Sequence, residues 1–541
     1  MKKLINDVST VVPEMLDGLI ALNPQLSLLQ GGTIVLRADA QAVAARGEVA
    51  LISGGGSGHE PAHGGYVGHG MLSAAVAGEI FTSPSTDAVL DAIRAVAGPA
   101  GALLIVKNYT GDRFNFGLAA EIARAEGILV EMMIVADDVA LSASGDHAGR
   151  RGLAGTVLVH KIAGAAAARG LPLAEVARLA REAAASLGTM GVALAPCTVP
   201  AAGKPGFALG DGEIEWGLGI HGEPGVARGA LEPADAIVGK LLAKIVDNLA
   251  LQAGERVALL VNNLGGTPPS ELNVVAGAAL RELAGRGIEV ARAWAGTFLS
   301  ALEMAGVSLT LLRIDDERLS LLDAASQTSA WPALSGRVAQ VAVRERSGLR
   351  VPAGSRADID RNGPARRRRR PRHQPRARRT RGAARARFLC VSNHPGRGMS
   401  ATLRRVVGGT SGPLYAVMLL RAAAALEQSG GTTARQWATA FSAGVDGLME
   451  LGGARPGDRT MVDALRPAAD ALHDALAQGV STDAALQATV EAACDGTSRT
   501  ASMHPRRGRS SYVGERALGH MDPGAHAVAL WLAAIRDALP G

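Results

Sequence analysis

The 541-residue chain sets 56 Lys and Arg against 50 Asp and Glu, a formal charge of +6, and is 48% hydrophobic with 7 Phe, 5 Trp and 4 Tyr. That length holds several domains with cores of Ala, Val, Leu and Ile, which excludes a disordered chain. No stretch reaches the ~20 apolar residues of a membrane helix, the start MKKLINDVSTVVPEML has no apolar signal core, and Cys197, Cys390 and Cys494 form no CxxC pair, so a cytoplasmic protein without a membrane span, disulfides or structural zinc is expected.

Up to about residue 335, apolar runs alternate with Ala-rich helical stretches, the pattern of α/β units. Glu48–Ser53, Gly101–Lys107, Ile128–Val135 and Arg256–Asn262 read as buried strands, each followed closely by Gly, Asn or Asp. In open α/β sheets ligands bind beyond the carboxyl ends of the strands, where these clusters fall. A Gly- and Pro-rich stretch from Leu187 to Gly212 is read as a break between two α/β subdomains, 1–185 and 186–335. Residues 336–404 are a linker and an irregular Arg-rich segment without apolar period. From 405 to 541, amphipathic stretches starting at Pro413, Thr433, Met461, Thr482 and Ala525 predict an all-α domain.

Three motifs carry chemistry. Ser53–Pro61, SGGGSGHEP, follows a strand, and its glycines let a backbone approach a small ligand while His59 at the rim is a candidate acid or base. The third Gly of a dinucleotide fingerprint would fall on His59 and no GK[ST] follows, so neither a Rossmann nor a Walker loop is present. Lys107–Gly117, KNYTGDRFNFG, clusters Lys107, Asn108 and Asp112 at a strand end, although Asn, Gly and Asp are also ordinary turn residues. Gly217–Gly225, GLGIHGEPG, puts His221 on a short loop with glycines on either side, open to a substrate as a nucleophile would need.

SGGGSGHEP, GEIFTSPS, KNYTGDRFNFG and GLGIHGEPG in this order, followed by GGTSGPLY and GRSSYVGERALGHMDPGA, resemble the single-chain, ATP-dependent dihydroxyacetone kinases. The resemblance covers about residues 1–335 and 405–541. It implies an N-terminal α/β K domain that holds a short ketone or aldehyde as a hemiaminal on a histidine, matching His221. The family's acid/base pair matches His59 and Asp112, and its substrate contacts match Gly56, Ser57, Gly58 and Lys107. It further implies an α-helical barrel, the L domain, carrying ATP and two Mg²⁺. The nucleotide contacts match Thr410, Ser411, Gly452, Thr460, Met461, Asp522, Pro523 and Gly524, and a homodimer through the K domain is implied.

One family feature is absent. The carboxylates for Mg²⁺ come from a GDGD-type motif about forty residues before GGTSG, and here that position holds Arg366–Arg370, with no Asp or Glu from Arg361 to Leu426. Arginine has no lone pair to give a cation. The codons CGT-CGG-CGA-CGG-CGA-CCA-CGG for Arg366–Arg372, read one base later, give Val-Gly-Asp-Gly-Asp-His. The run is therefore read as a frameshift, entered near residues 345–365 and left shortly before Val407, in preference to a true insertion. The charge supports an intrusion: from Arg361 to Gln428 there are 17 Arg, no Lys and one acid, a local +16, which leaves −10 for the rest. Nucleic-acid binding by these arginines is disfavoured, since no aromatic lies within Arg361–Arg387 for base stacking. Two functions follow: phosphorylation of dihydroxyacetone, with glyceraldehyde as a further substrate, or carbonyl binding by a homologue whose ATP/Mg²⁺ site is lost.

Overall fold

A computed structural model describes residues 2–29, 32–141, 149–222, 225–332, 336–338, 411–430, 433–507 and 517–538. Thr410 and Arg366–Arg370 lie outside them, as does nearly all of the expected linker. The first layer is built from α1 (Val11–Leu22), β1 (Leu26–Leu28), β2 (Ile34–Arg37), α2 (Ala40–Ala45), β3 (Ala50–Ser57), β4 (Ala74–Ile80), α3 (Thr86–Val96), β5 (Ala102–Lys107), α4 (Thr110–Ala125) and β6 (Val130–Val135). After α5 (Thr156–Ala168) and α6 (Leu173–Ala185), a second layer has β7 (Leu187–Ala193), β8 (Glu213–Trp216), β9 (Ala227–Ala230), α7 (Ala234–Leu249), β10 (Arg256–Asn263), α8 (Pro269–Gly285), β11 (Glu289–Gly296), β12 (Gly306–Arg313) and α9 (Asp316–Asp323).

The first sheet has the order β1-β2-β4-β3-β5-β6, with β4, β3, β5 and β6 parallel. From β3 the chain steps to one side for β4 and returns to the other for β5, so the carboxyl ends of these strands open on a topological switch point. Val35, Leu51, Leu103 and Ile105 face one core with α5 and α6, while Ile52, Val76, Leu104 and Val106 face another with α3 and α4. The second sheet, β11-β10-β12-β7-β8-β9, is antiparallel apart from β10 against β11, and packs on α7 and α8.

Two expectations are corrected. The glycines Gly54–Gly56 of SGGGSG do not follow a strand; they are in it, because β3 runs to Ser57 and pairs with β4, with a register shift after Gly56. A Cβ on Gly54 would stand 2.3 Å from the Val76 carbonyl oxygen and one on Gly56 2.5 Å from the Thr82 nitrogen, so only glycine fits this close approach. The break at Leu187–Gly212 is likewise misplaced at its start, since Leu187–Ala193 is the buried strand β7. Its glycines serve packing: a Cβ on Gly188 would lie 3.1 Å from both Ile245 and Val139.

The C-terminal region is helical, as the apolar spacing predicts: α10 (Ser411–Ser429), α11 (Ala434–Gly452), α12 (Val462–Ala477), α13 (Thr482–Arg499) and α14 (Pro523–Ala538). A capping box of Thr433 and Gln436 starts α11 and Gly453 ends it with φ 64°. Val445, Leu448, Leu465, Val528 and Leu532 form its core. Leu118 on α4 packs with Ala416, Val417 and Leu420 of α10, and Arg421 pairs with Glu121 at 2.7 Å, so α4 joins the α/β and helical regions. Among the described residues no helix is long and apolar enough to cross a membrane.

Candidate active site

The carboxyl ends of β3, β4 and β5 deliver His59, Phe81 with Ser83, and Lys107 with Asp112 to one place. His59 is fully buried, and its Nδ1 stands 2.9 Å from the Ser300 carbonyl oxygen. A carbonyl can only accept, so Nδ1 carries the proton and Nε2 is left with its lone pair, without a hydrogen-bond partner among the described residues. The acceptor is held from the second sheet, where Asn262 accepts from the Phe298 and Leu299 nitrogens and donates to the Leu299 oxygen at 2.8 Å.

His221 arrives from the loop after β8. Three rings surround it edge-on: His59 at 4.8 Å between centroids, Phe81 at 5.3 Å and Tyr109 at 4.4 Å. Leu218 and Ile220 anchor the loop in the main core. Arg151 clamps it, donating to the Gly217 oxygen at 2.7 Å and to Asp138 at 2.6 Å. Burial first, then the charges of Lys107 and Arg151, pushes His221 down to about 3. Burial and the same Lys107 hold His59 well below the usual imidazole range. Both rings are therefore neutral at physiological pH, and a neutral imidazole is the nucleophilic or basic form.

Lys107 is completely buried, and its Nζ makes no hydrogen bond to the described residues. Burial lowers its pKa, opposed by the carboxylates of Asp112, Glu60 and Asp137. An ammonium kept dry without a hydrogen-bond acceptor is costly unless a ligand oxygen supplies one. Asp112 lies in the first turn of α4, buried; burial raises its pKa, while Lys107 and the hydrogen bond from Ser83 Oγ oppose that rise. A Cβ on Gly55 would stand 3.2 Å from Lys107 Nζ and 3.4 Å from Asp112 Oδ2, which shows how closely β3 passes both groups. Phe81 and Leu302 hold left-handed conformations at φ 57° and 55°. Their backbone nitrogens donate to the Ser57 and Gly58 oxygens, fixing the strand end.

The structure thus brings together His59, Lys107, Asp112, His221 and the Gly56–Gly58 backbone. The Ser57 hydroxyl already donates to the Gly78 oxygen at 2.7 Å, so towards a ligand it can only accept. Ser83, Glu60, Phe81, Tyr109 and Arg151 were not singled out from the sequence. Ser83 and Phe81 stand inside GEIFTSPS, a motif quoted without assigning residues, and Arg151 carries no sequence signal at all.

In the helical region, Arg459 at φ 61° is buried and donates to the Thr500, Ala517 and His520 oxygens, tying the GDRTM loop to the segment before α14. Asp463 accepts from the Gly457 and Thr460 nitrogens and fixes that loop. Asp522 accepts from the Ala525 nitrogen at 2.9 Å, and a Cβ on Gly524 would lie 3.4 Å from the Met461 Cβ, so Thr460–Met461 and Asp522–Gly524 adjoin. Gly452 ends α11, with its open side 3.3 Å from Leu414 of α10, the helix that Ser411 begins. These loops do not fit a divalent cation: among the described residues no group of three His, Cys, Asp or Glu could hold a metal. Both Asp463 oxygens and one of Asp522 are taken by backbone donors.

Family models match the Dak1 domain at residues 17–330 and the DAK2 domain at residues 396–537. The triokinase/FMN cyclase of Homo sapiens is 42% identical over 99% of this chain and 99% of its own length. The dihydroxyacetone-binding subunit DhaK of the PEP-dependent dihydroxyacetone kinase of Escherichia coli is 45% identical over 61% of this chain and 99% of its own. The structure of the dihydroxyacetone kinase of C. freundii in complex with AMP-PNP and Mg²⁺ superposes with a TM-score of 0.57 at 34% identity, covering 99% of this chain and all of that one. With a Dak1 α/β region, a DAK2 helical region and kinases as relatives along its whole length, the chain belongs to the dihydroxyacetone kinase family.

Proposed function

We propose that the protein phosphorylates dihydroxyacetone, and glyceraldehyde as a second substrate, at the expense of ATP, with the carbonyl held as a hemiaminal on His221. The observation that carries the reading is the juxtaposition of neutral His221 with two buried atoms that lack hydrogen-bond partners among the described residues, Nε2 of His59 and Nζ of Lys107. An imidazole nitrogen of His221 adds to the carbonyl carbon, the C=O π bond opens, and the proton lost by the ring ends on the former carbonyl oxygen. Lys107 Nζ and the Gly56–Ser57 backbone hold substrate oxygens, and Gly58, whose nitrogen is committed to the Glu60 carboxylate, shapes the strand end beside them. A polyol without a carbonyl gains nothing from His221, which selects short ketones and aldehydes. Asp112, working with His59 Nε2, takes the proton from the terminal hydroxyl as that oxygen attacks the γ-phosphorus and ADP leaves.

Intact-mass measurement on the full chain tests this: one dihydroxyacetone adduct is expected on the wild type and none on His221→Ala. A stable adduct on that variant removes His221 from the anchoring role. Thr410, Ser411, Gly452, Thr460, Met461 and Asp522–Gly524 are proposed as nucleotide contacts, with Mg²⁺ as the ion that family members use. The enzyme would act in the cytoplasm as a homodimer, which sedimentation of the purified chain would check.

A second reading rests on a separate observation, the lack of any Asp or Glu from Arg361 to Leu426. On this reading the chain as written binds carbonyl compounds but transfers phosphate poorly or not at all. An adduct without Mg·ATP turnover distinguishes it from the kinase.

A further inference from the structure

We propose that Arg113 is a further catalytic residue, gripping the oxygens of the phosphoryl group as it passes from the nucleotide loops to the carbonyl substrate. This rests on the kinase reading above and adds to it a group for the charge in transit, which the roles of His221, His59, Lys107 and Asp112 leave without a partner.

Arg113 follows Asp112 in the first turn of α4, the helix whose outer face carries the helical region. Its guanidinium crosses to that region. A Cβ on Gly453 would stand 3.1 Å from Arg113 Nη2, and Gly453 is the left-handed residue directly after Gly452 in the candidate nucleotide motif. The junction is fixed on the same helix pair: a Cβ on Gly117 would lie 2.3 Å from Leu451 Cδ1, so the glycine admits that leucine, and Arg421 ties Glu121 to Glu450. Arg113 therefore stands between the carboxylate that accepts the substrate proton and the loop assigned to the nucleotide.

Among the described residues no carboxylate pairs with Arg113, and its one polar contact is a long one, 3.5 Å from Nη1 to Asn108 Oδ1. Its charged neighbour is another cation, Arg507, which together with burial lowers its pKa. Two guanidinium charges near each other at a partly dry junction repel, and an anion bound there relieves the repulsion. A guanidinium fork matches phosphate oxygens in pairs, and phosphoryl transfer builds charge on those oxygens.

The test needs neither metal nor turnover. The full chain is titrated calorimetrically with dihydroxyacetone phosphate and separately with dihydroxyacetone, in the wild type, Arg113→Gln and Arg113→Lys. Removing the guanidinium should weaken the phosphorylated ligand by about ten- to hundredfold, the range for a hydrogen bond to a charged group, while dihydroxyacetone changes less than twofold. Arg113→Lys should fall between, keeping charge but losing the fork. Equal affinity of wild type and Arg113→Gln for dihydroxyacetone phosphate overturns the proposal. Should Arg113→Gln lose both ligands, the lysine variant decides: selective weakening of the phosphate ester supports the grip, and parallel loss of both overturns it. A wild type that binds neither the ketone nor an adduct sinks the kinase reading instead, a result distinct from either.

Discussion

At the scale of single residues, burial decides the chemistry. His221 is held at about 3, so its ring is neutral throughout the range in which a free imidazole titrates. The fraction of chain carrying the dihydroxyacetone adduct should therefore be flat from pH 8 to pH 5. An exposed histidine of pKa 6.5 would be only about one-thirtieth neutral at pH 5, and an adduct that fades to that degree would show His221 to be solvent-titrated. Ser83 and Asp112 give a second prediction. Asp112→Asn should keep the adduct and slow transfer by ~10²–10⁴, the usual cost of a lost acid or base. Ser83→Ala removes a hydrogen bond that lowers the Asp112 pKa, so the acidic limb of the rate profile should move to higher pH; a profile that stays in place dissociates the two residues.

At the scale of elements, β3 and α5 show what the chain gives up to place its groups. Strand β3 has no side-chain volume at Gly54–Gly56, and in return its backbone passes within reach of Lys107 and Asp112. Helix α5 is buried all round, and carries His160 and Lys161 into the core. Lys161 Nζ donates to the Leu321 and Ala324 oxygens at 3.0 and 2.7 Å, capping α9. His160 meets His63 at 3.0 Å and is pushed down to about 3, by burial first and Lys107 second. Its folded pKa lies below its unfolded value of 6.5, so its contribution is fully present above pH 6.5 and is lost as pH falls toward 3. In denaturant titrations, the stability advantage of wild type over His160→Gln should shrink by about 2 kcal/mol between pH 7 and pH 5. An advantage independent of pH would mean that His160 is as neutral unfolded as folded.

At the scale of the whole molecule, α4 couples the two halves. Its first turn carries Asp112 and its outer face the apolar contact with α10, so one helix links the candidate site to the helical region. What the chain then accomplishes depends on the Arg-rich run. Replacing Arg366–Arg370 and its flanks with the sequence of the shifted frame should raise Mg·ATP-dependent phosphorylation by orders of magnitude and leave the dihydroxyacetone adduct unchanged. If turnover were the same before and after, the arginine run would be a genuine part of a working enzyme.

The motif order, the α/β and helical classes, and the candidate set His59, Lys107, Asp112 and His221 were legible in the sequence. Glycine punctuation, apolar period and chemical residue type are local properties, written along the chain. The glycines of β3 misled because a close-packed strand and a glycine-rich turn look alike until the neighbour, Val76 or Thr82, is known. Ser83, Arg151 and Arg113 were illegible for the same reason. Their partners Asp112, Gly217 and the turn at Gly453 stand elsewhere in sequence or across a domain junction, and contact between distant segments has no local signature. The sequence by itself determined which groups are available to the candidate site. The tertiary structure alone decided which are dry, neutral and facing one another, because burial and Coulomb interactions act through space and not along the chain.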